Sequence, residues 1–266
     1  MNQPARGMSA VRASGPVETV LLPLTGERTV PGIPEENYWF RRHEVAYEFA
    51  LPLFAGERVL EVGCGEGYGT ALLATAAVQV IGLDYDALTV AHASARYPQA
   101  RFVRGNLAAL PLASRSVDAV ATLQVIEHVW NHREFVGECL RVLRPGGTVL
   151  VTTPNRLTFS PGLETPVNPF HTKEFTAAEL VGLLTANGFG IDGVFGLHAG
   201  PRLRALDERH GGFVDAQLAV PPDEWSDHLR ADVASIAADD FSIDPSDGVD
   251  VDACLDLVVV ARRPTR

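Results

Sequence analysis

The sequence predicts an α/β protein on a doubly wound, mostly parallel sheet of seven strands. Three observations carry that prediction. Short runs rich in β-branched residues alternate with helical stretches from about residue 57 to 262, which is the sequence form of a parallel sheet with crossover helices. The first run, VLEV at 59–62, meets a glycine cluster, GCGEGYG at 63–69, where such a domain turns its first strand towards a ligand. The runs VQVIGLDY and VDAVATLQ are apolar along most of their length, as strands buried on both faces are.

The elements follow in order. VLEV is the first strand, and TALLATAA after the glycines is a helix. VQVIGLDY, 78–85, is the second strand, and ALTVAHASARYP is a helix that Pro98 ends. ARFVRGN is the third strand and VDAVATLQ, 117–124, the fourth. HREFVGECLRVLRPGG is an amphipathic helix that Pro145-Gly146-Gly147 should close. TVLVTTP is the fifth strand, FTAAELVGLLTANGF a helix stopped at Gly188, FGIDGVFGL the sixth strand and CLDLVVVAR at 254–262 the seventh. Residues 198–252 form an insertion before that last strand, rich in Asp, Ala and His, with room for two helices after Trp225. It reads as a lid, an acceptor-side element or packing decoration. The expected organisation is a flexible tail over 1–20, an N-terminal helical cap segment over 21–50 and one catalytic domain over 51–266.

Composition narrows the function. Hydrophobic residues make up 46% of the 266, enough for a sizeable core. A net charge of -11 argues against a nucleic-acid partner, whose binders carry a basic face. Three scattered cysteines, Cys64, Cys139 and Cys254, make neither a disulfide framework nor a zinc motif and suit a reducing cytoplasm. No apolar run reaches the roughly 20 residues that span a bilayer. Arg6 and Arg12 lie in a segment with no continuous apolar core, so no secretory signal is expected there. A monomer or homodimer is expected.

The glycine cluster excludes two ligands. A dinucleotide site needs G-x-G-x-x-G, but from Gly63 the third glycine position is Tyr68, and from Gly65 it is Thr70. No Gly-Lys-Ser/Thr follows, so it is no phosphate loop. The pattern is E-x-G-x-G-x-G, with Glu61 in front of the glycines and Asp84 at the end of the second strand. Glu61 would repel a pyrophosphate but can accept from a cationic amine, and Asp84 is placed for ribose hydroxyls. An adenosine with an amino-acid tail and no phosphate satisfies both, which describes S-adenosylmethionine.

VLEVGCGEGYG, IGLDYD, GNLAALPL, VDAVATLQVIEHV, VLRPGGTVLVTTPN and HTKEFTAAEL together resemble the motif series of class I S-adenosylmethionine-dependent methyltransferases over about residues 57–195. The resemblance implies a Rossmann-like fold. It implies that Gly63, Gly65 and Gly67 pass under the methionine and ribose, that Glu61 serves the amino-acid end, and that Asp84 takes the ribose hydroxyls. Tyr85 would lie beside the adenine and Leu107 would offer its backbone to the ring. The family carries Asp where this chain has Asn106, whose carbonyl can still accept from the adenine amino group. Gln124 would line the methyl donor.

The segment TGERTVPGIPEENYWFRRHEVAYEFA, 25–50, resembles the N-terminal part of methyltransferases of bacterial glycan assembly. ENYWFRRH, NPFHT and GPRLR followed by D-x-RHGG resemble O-methyltransferases linked to actinobacterial methylglucose lipopolysaccharide synthesis. These likenesses imply a sugar hydroxyl as acceptor. Tyr38, Trp39 and Phe40 would close over the cofactor, stack on a sugar or staple a helix to the sheet. Arg42 would meet the methionine carboxylate, and Arg41 would be solvated.

Residues 124–132, QVIEHVWNH, end the fourth strand where an open α/β sheet faces its ligand. Methyl transfer to an alcohol needs the acceptor oxygen aligned with the sulfonium and its proton removed, by a base or with a metal. In one arrangement His128 or His171 is the general base and Glu127 orients it. In another a divalent cation such as Mg is held by Glu127, His128 and His171, with Gln124 contributing if the turn is helical. That spacing resembles the E-x-x-E-H plus distant His set of metal-dependent small-RNA methyltransferases, with Gln124 in place of a Glu. Glu127-His128 could also only brace the loop. His132 should sit on the exposed start of the next helix, and Asp207, Arg209 and His210 form a polar cluster that binds acceptor or is solvated. Alternatives to the glycan O-methyltransferase are an O-methyltransferase of a quinone or other small natural product, a catalytically silent S-adenosylmethionine-binding protein and, more distantly, a nicotinamide dehydrogenase.

Overall fold

The computed structural model describes residues 28–245 and 250–265. The tail expected over 1–20 and the TGE of the TGER motif lie outside the described residues. Helix α1, Asn37–Phe54, precedes the sheet. Then follow β1 (Arg58–Val62), α2 (Tyr68–Leu73), β2 (Gln79–Asp84), α3 (Ala87–Arg96), β3 (Arg101–Arg104), β4 (Val117–Leu123), α4 (His132–Val142) and β5 (Leu143–Pro154). The second half comprises α5 (Arg156–Phe159), α6 (Ala177–Ala186), β6 (Gly190–Ala199), α7 (Pro201–His210), α8 (Phe213–Leu218), α9 (Asp227–Ala234), β7 (Phe241–Pro245) and β8 (Asp256–Arg262).

The strands form one sheet in the order β3-β2-β1-β4-β5-β8-β6-β7. The pairings among β1 to β5 are parallel, whereas β8 runs antiparallel between β5 and β6. The sheet therefore has eight strands rather than seven. The extra one, β7, comes from the insertion and pairs antiparallel with β6 at the sheet edge. Its five residues, FSIDP, are too short and too polar to stand out against a loop in sequence. The insertion also differs in its helices: α7 and α8 precede Trp225, and α9 is the α-helix that follows it.

Alternation along the strands builds the two faces. On β8, Val258 and Val260 pack into one apolar layer with α1 and the insertion helices, whereas Leu257, Val259 and Ala261 pack into the other with α4 and α6. Local chemistry sets the helix ends. Asp86 caps α3 through the Leu88 N–H, and Thr176 with Glu179 makes a capping box at α6. Helix α4 ends at Val142, before Pro145, because Leu143 already turns into β5 and pairs with Val117. Since β1 lies between β2 and β4, the chain reverses direction across the sheet there, and a crevice opens beyond the carboxyl ends of β1 and β4. Among the described residues no helix is long and apolar enough to cross a membrane.

Candidate active site

The glycine loop fills that crevice on the β1 side. Gly63, Gly65 and Gly67 all have positive φ, 77°, 51° and 99°, a region where a side chain is strained. At Gly63 a Cβ would also come within 2.6 Å of Val125. The Gly63 and Cys64 N–H groups donate to Leu83 O, tying the loop to β2. Asp84, buried at the end of β2, accepts from the Gly65 N–H at 3.0 Å and the Asp86 N–H at 2.9 Å. Burial holds its carboxyl above the usual range.

Glu61 is almost wholly buried. Tyr47 of α1 donates to one carboxylate oxygen at 2.6 Å, and Thr70 of α2 donates to the other. Burial pushes its carboxyl up to about 7. Both oxygens therefore tie helices to the first strand. Tyr47 needs room to do so: a Cβ on Gly69 would lie 2.1 Å from its ring. Tyr85 is exposed. The Asn106 side-chain carbonyl accepts from the Ala108 N–H at 2.9 Å, closing a short turn, and Leu107 packs on the apolar layer beneath.

A second chamber, about 390 Å³, opens beyond Gln124 and is bounded by Arg28 and Thr29, helix α1, the 124–128 turn, Phe159, the 167–171 loop, Leu218 and Asp256. Gln124 sits at its inner edge with φ 56°, and its N–H donates to Thr152 O. A left-handed residue other than glycine costs about 1–2 kcal/mol, and such strain gathers at functional sites. Residues 126–128 then make a 3-10 turn, so Gln124 is off its helical face although it shares the chamber.

Glu127, His128 and His171 converge here, with one ligand atom from each within 4.8 Å of the others. The two imidazole rings are 4.9 Å apart and nearly perpendicular. Their orientation is set by the segment 168–174. The Phe170 carbonyl lies 3.0 Å from His128 Nδ1, and Glu174 Oε1 lies 2.8 Å from His171 Nδ1. Both partners only accept, so each histidine carries a proton on Nδ1, and the Asn168 amide lies 3.1 Å from His171 Nε2. Thr172 completes the clamp by donating from its N–H and its hydroxyl to the Glu127 carbonyl.

Glu127 does not face solvent. Its carboxylate turns inward and accepts from the Thr153 hydroxyl at 2.9 Å, and burial pushes its carboxyl up to about 8. Arg42 does not face the glycine loop. Its guanidinium makes a buried bidentate pair with Asp256, at 2.6 and 2.7 Å, and donates to Leu255 O. The three aromatics divide: Tyr38 packs on Phe213 and Phe241, Phe40 packs on Tyr68, and Trp39 faces the chamber. Arg41 pairs with Glu44. His132 is half-buried at the start of α4, edge-on to Phe175, rather than exposed. The insertion cluster is structural: Arg209 and His210 both bind Asp232 of α9, and Asp207 accepts from the Phe213 N–H.

Sequence reasoning missed His43, Asp256 and Glu174. His43 lines the chamber with its Nδ1 3.4 Å from the Thr29 hydroxyl, and burial pushes it down to about 4. Its signal was the spacing from Trp39, four residues apart on one helix face. Asp256 reaches its partner across 214 residues, and no local pattern marks it.

A family model described as a methyltransferase domain matches residues 60–151. A probable S-adenosylmethionine-dependent methyltransferase of Mycolicibacterium smegmatis is 56% identical over 91% of this chain and 96% of its own length. A protein of the same description from Mycobacterium tuberculosis is 51% identical over 92% of this chain and 90% of its own. Among solved structures, a protein described as a possible histamine N-methyltransferase from Thermotoga maritima aligns with a TM-score of 0.58 at 20% identity, covering 86% of this chain and 95% of that one. That likeness speaks for the fold alone.

Proposed function

The chain belongs to the S-adenosylmethionine-dependent methyltransferases, and from that premise we propose that it methylates a hydroxyl group of a sugar, in a glycan or polymethylated polysaccharide precursor. The observation that carries this reading is the chamber beside the glycine loop. It joins two imidazoles of fixed tautomer to the aromatic faces of Trp39 and Phe159 and to polar groups of Glu36, Asn168 and Asp256. Ring faces plus hydrogen-bonding groups suit a pyranose, which has an apolar face and a rim of hydroxyls. The N-terminal resemblance to glycan methyltransferases supports the same acceptor.

In this reading Gly63, Gly65 and Gly67 would pass under the cofactor, Asp84 would take its ribose hydroxyls, Tyr85 and the turn at Asn106 and Leu107 would hold its adenine, and Gln124 would line the methyl donor. Glu61 supports this site by holding α1 and α2 to β1. The acceptor oxygen attacks the methyl carbon in line. The O–CH3 bond forms as the S–CH3 bond breaks, sulfur departs as a neutral thioether, and the hydroxyl proton passes to Nε2 of His128, or to that of His171 where the acceptor hydroxyl displaces the Asn168 amide from it. Glu127 lines the same chamber, its carboxyl pushed up to about 8 by burial.

The convergence of Glu127, His128 and His171 favours a second catalytic reading, in which they hold a divalent cation such as Mg. The other nitrogen of each imidazole is held by an acceptor, as metal-binding histidines require, but an ion would have to displace the Asn168 amide, which donates to His171 Nε2 at 3.1 Å. One carboxylate makes such a site weak for a hard cation. A bound ion would make the acceptor hydroxyl easier to deprotonate. Turnover unchanged by EDTA would count against it, and loss restored by Mg would support it. An apolar mouth also favours a second acceptor, a quinone or similar natural product, because Val167, Phe170 and Leu218 line the chamber yet remain exposed. Incubation with methyl-labelled S-adenosylmethionine should move label to a neutral oligosaccharide. Label on a quinone and on no sugar would overturn the sugar reading. Cofactor binding with no transfer to either would favour a silent binding protein.

A further inference from the structure

We propose that Glu174 is a positioning residue of the reaction: it fixes the ring and tautomer of His171 so that Nε2 is the accepting nitrogen on the chamber side, held by the Asn168 amide until an acceptor hydroxyl or an ion takes that place. The proposal rests on the methyltransferase reading of this site and holds for either catalytic role of His171.

Hydrogen bonds of known direction run through the segment. The Phe170 N–H donates to Asn168 Oδ1 at 3.0 Å, which fixes the Asn168 amide and turns its NH2 group towards His171 Nε2 at 3.1 Å. Nε2 must therefore accept, and the ring proton must be on Nδ1. That nitrogen lies 2.8 Å from Glu174 Oε1, an acceptor. Asn168 and His171 both line the chamber, whereas Glu174 lies behind them. The His171 side chain is 4% exposed and that of Glu174 1%, so little water competes for the contact. His128 has a neutral carbonyl in the corresponding place, and His171 has a carboxylate. Backing a working imidazole with an acidic group is how its tautomer and ring angle are held in both proton transfer and metal ligation.

A purely stabilising role does not account for Glu174. Its second oxygen, Oε2, is buried with no hydrogen-bond partner among the described residues. An unsatisfied carboxylate oxygen opposes folding, and an apolar side chain would fill the space without that cost. The cost is explained if the first oxygen is needed where it is. Glu174 is also anchored on its C-terminal side: Phe175 bridges to Asn155 at the end of β5, and the Arg156 N–H donates to Phe175 O. The carboxylate thus stands on the sheet rather than on a loose loop.

The test uses the full chain with S-adenosylhomocysteine bound, as wild type, Glu174→Gln and Glu174→Asp. The first readout is the imidazole N–H region of the proton spectrum, with His171 assigned by its loss in His171→Asn. A His171 Nδ1–H signal shifted downfield by a carboxylate is expected in wild type, absent in Glu174→Gln and recovered in Glu174→Asp. The second is label transfer to the neutral oligosaccharides. Glu174→Gln should lower kcat roughly 10²-fold or more, with KM for S-adenosylmethionine within about threefold, and Glu174→Asp should regain about tenfold. Wild type without the downfield signal would overturn the proposal, as would a Glu174→Gln chain that turns over normally. So would a fall in kcat that tracks thermal stability in both variants. If Glu174→Gln does not fold, the wild-type and Glu174→Asp spectra decide. If wild type labels no sugar, the acceptor reading fails and the spectra still decide the role of Glu174.

Discussion

Two single positions carry most of what this site needs. At His128 the Phe170 carbonyl holds the Nδ1 proton, so Nε2 is the nitrogen that would take an acceptor proton. His128→Ala should lower kcat about 10²–10⁴-fold, the usual contribution of a general base, while calorimetric affinity for S-adenosylmethionine stays near wild type. Near-normal turnover would reduce His128 to a brace for the loop. Gly69 is the other. Its φ is ordinary, so its role lies in space: a methyl group there would strike the Tyr47 ring, and Tyr47 is what holds Glu61. Gly69→Ala should cost roughly 1–3 kcal/mol, as overpacking does, measured by urea unfolding. Combined with Tyr47→Ala it should cost less than the two single losses added together, because the colliding ring is removed.

Helix α1 is the element that joins the two halves of the site, and it is also where sequence reasoning was least complete. The glycine loop, Asp84 and the alternation of strands with helices were legible because each is local: a glycine pattern after an apolar run, an acid at a strand end, β-branched residues in blocks. The ENYWFRRH segment was legible as important but not in its contacts. Arg42, Tyr47 and His43 turn to partners on β8, on β1 and at Thr29, and nothing in the neighbouring residues names those partners. The Arg42–Asp256 pair shows what such contacts are worth. Both side chains are buried and the geometry is bidentate, so removing one charge leaves the other unpaired in the interior. Arg42→Ala should destabilise by about 3–5 kcal/mol, seen as a fall in Tm of roughly 5–9 °C for a chain of this size. Replacing both, Arg42→Met with Asp256→Leu, should cost much less. Equal losses in the single and double variants would mean that the Leu255 carbonyl or the ring contacts of Arg42, rather than the charge pair, hold α1 in place.

Across the whole molecule, three buried groups with displaced pKa values should shape stability against pH. Glu61 and Glu127 are pushed up to about 7 and about 8 from an ordinary 4.5, in both cases chiefly by burial. The folded state binds their protons more tightly than the unfolded chain does. Their stabilisation is therefore full below about pH 4.5, falls as the pH rises, and stops changing above about pH 8. His43 is pushed down from 6.5 to about 4 by burial. Its neutral form is the folded one, so its stabilisation is full above about pH 6.5 and is lost as the pH falls towards 4. Between pH 4.5 and 6.5 the two effects oppose each other. Between 6.5 and 8 His43 is neutral in both states and the carboxyls act alone, so Tm should decline across that window. Glu127→Gln should flatten the decline, because an amide cannot ionise and Thr153 can still donate to its oxygen. Glu61→Gln should flatten it less, since the Glu61 pKa lies nearer the start of the window. Calorimetric scans at constant ionic strength from pH 6.5 to 8 would check this. A Tm that rises over that range, or an unchanged slope in Glu127→Gln, would show that Glu127 is ionised in the folded protein. That outcome would make Glu127 a carboxylate beside His128 and His171, and would strengthen the case for a bound divalent cation.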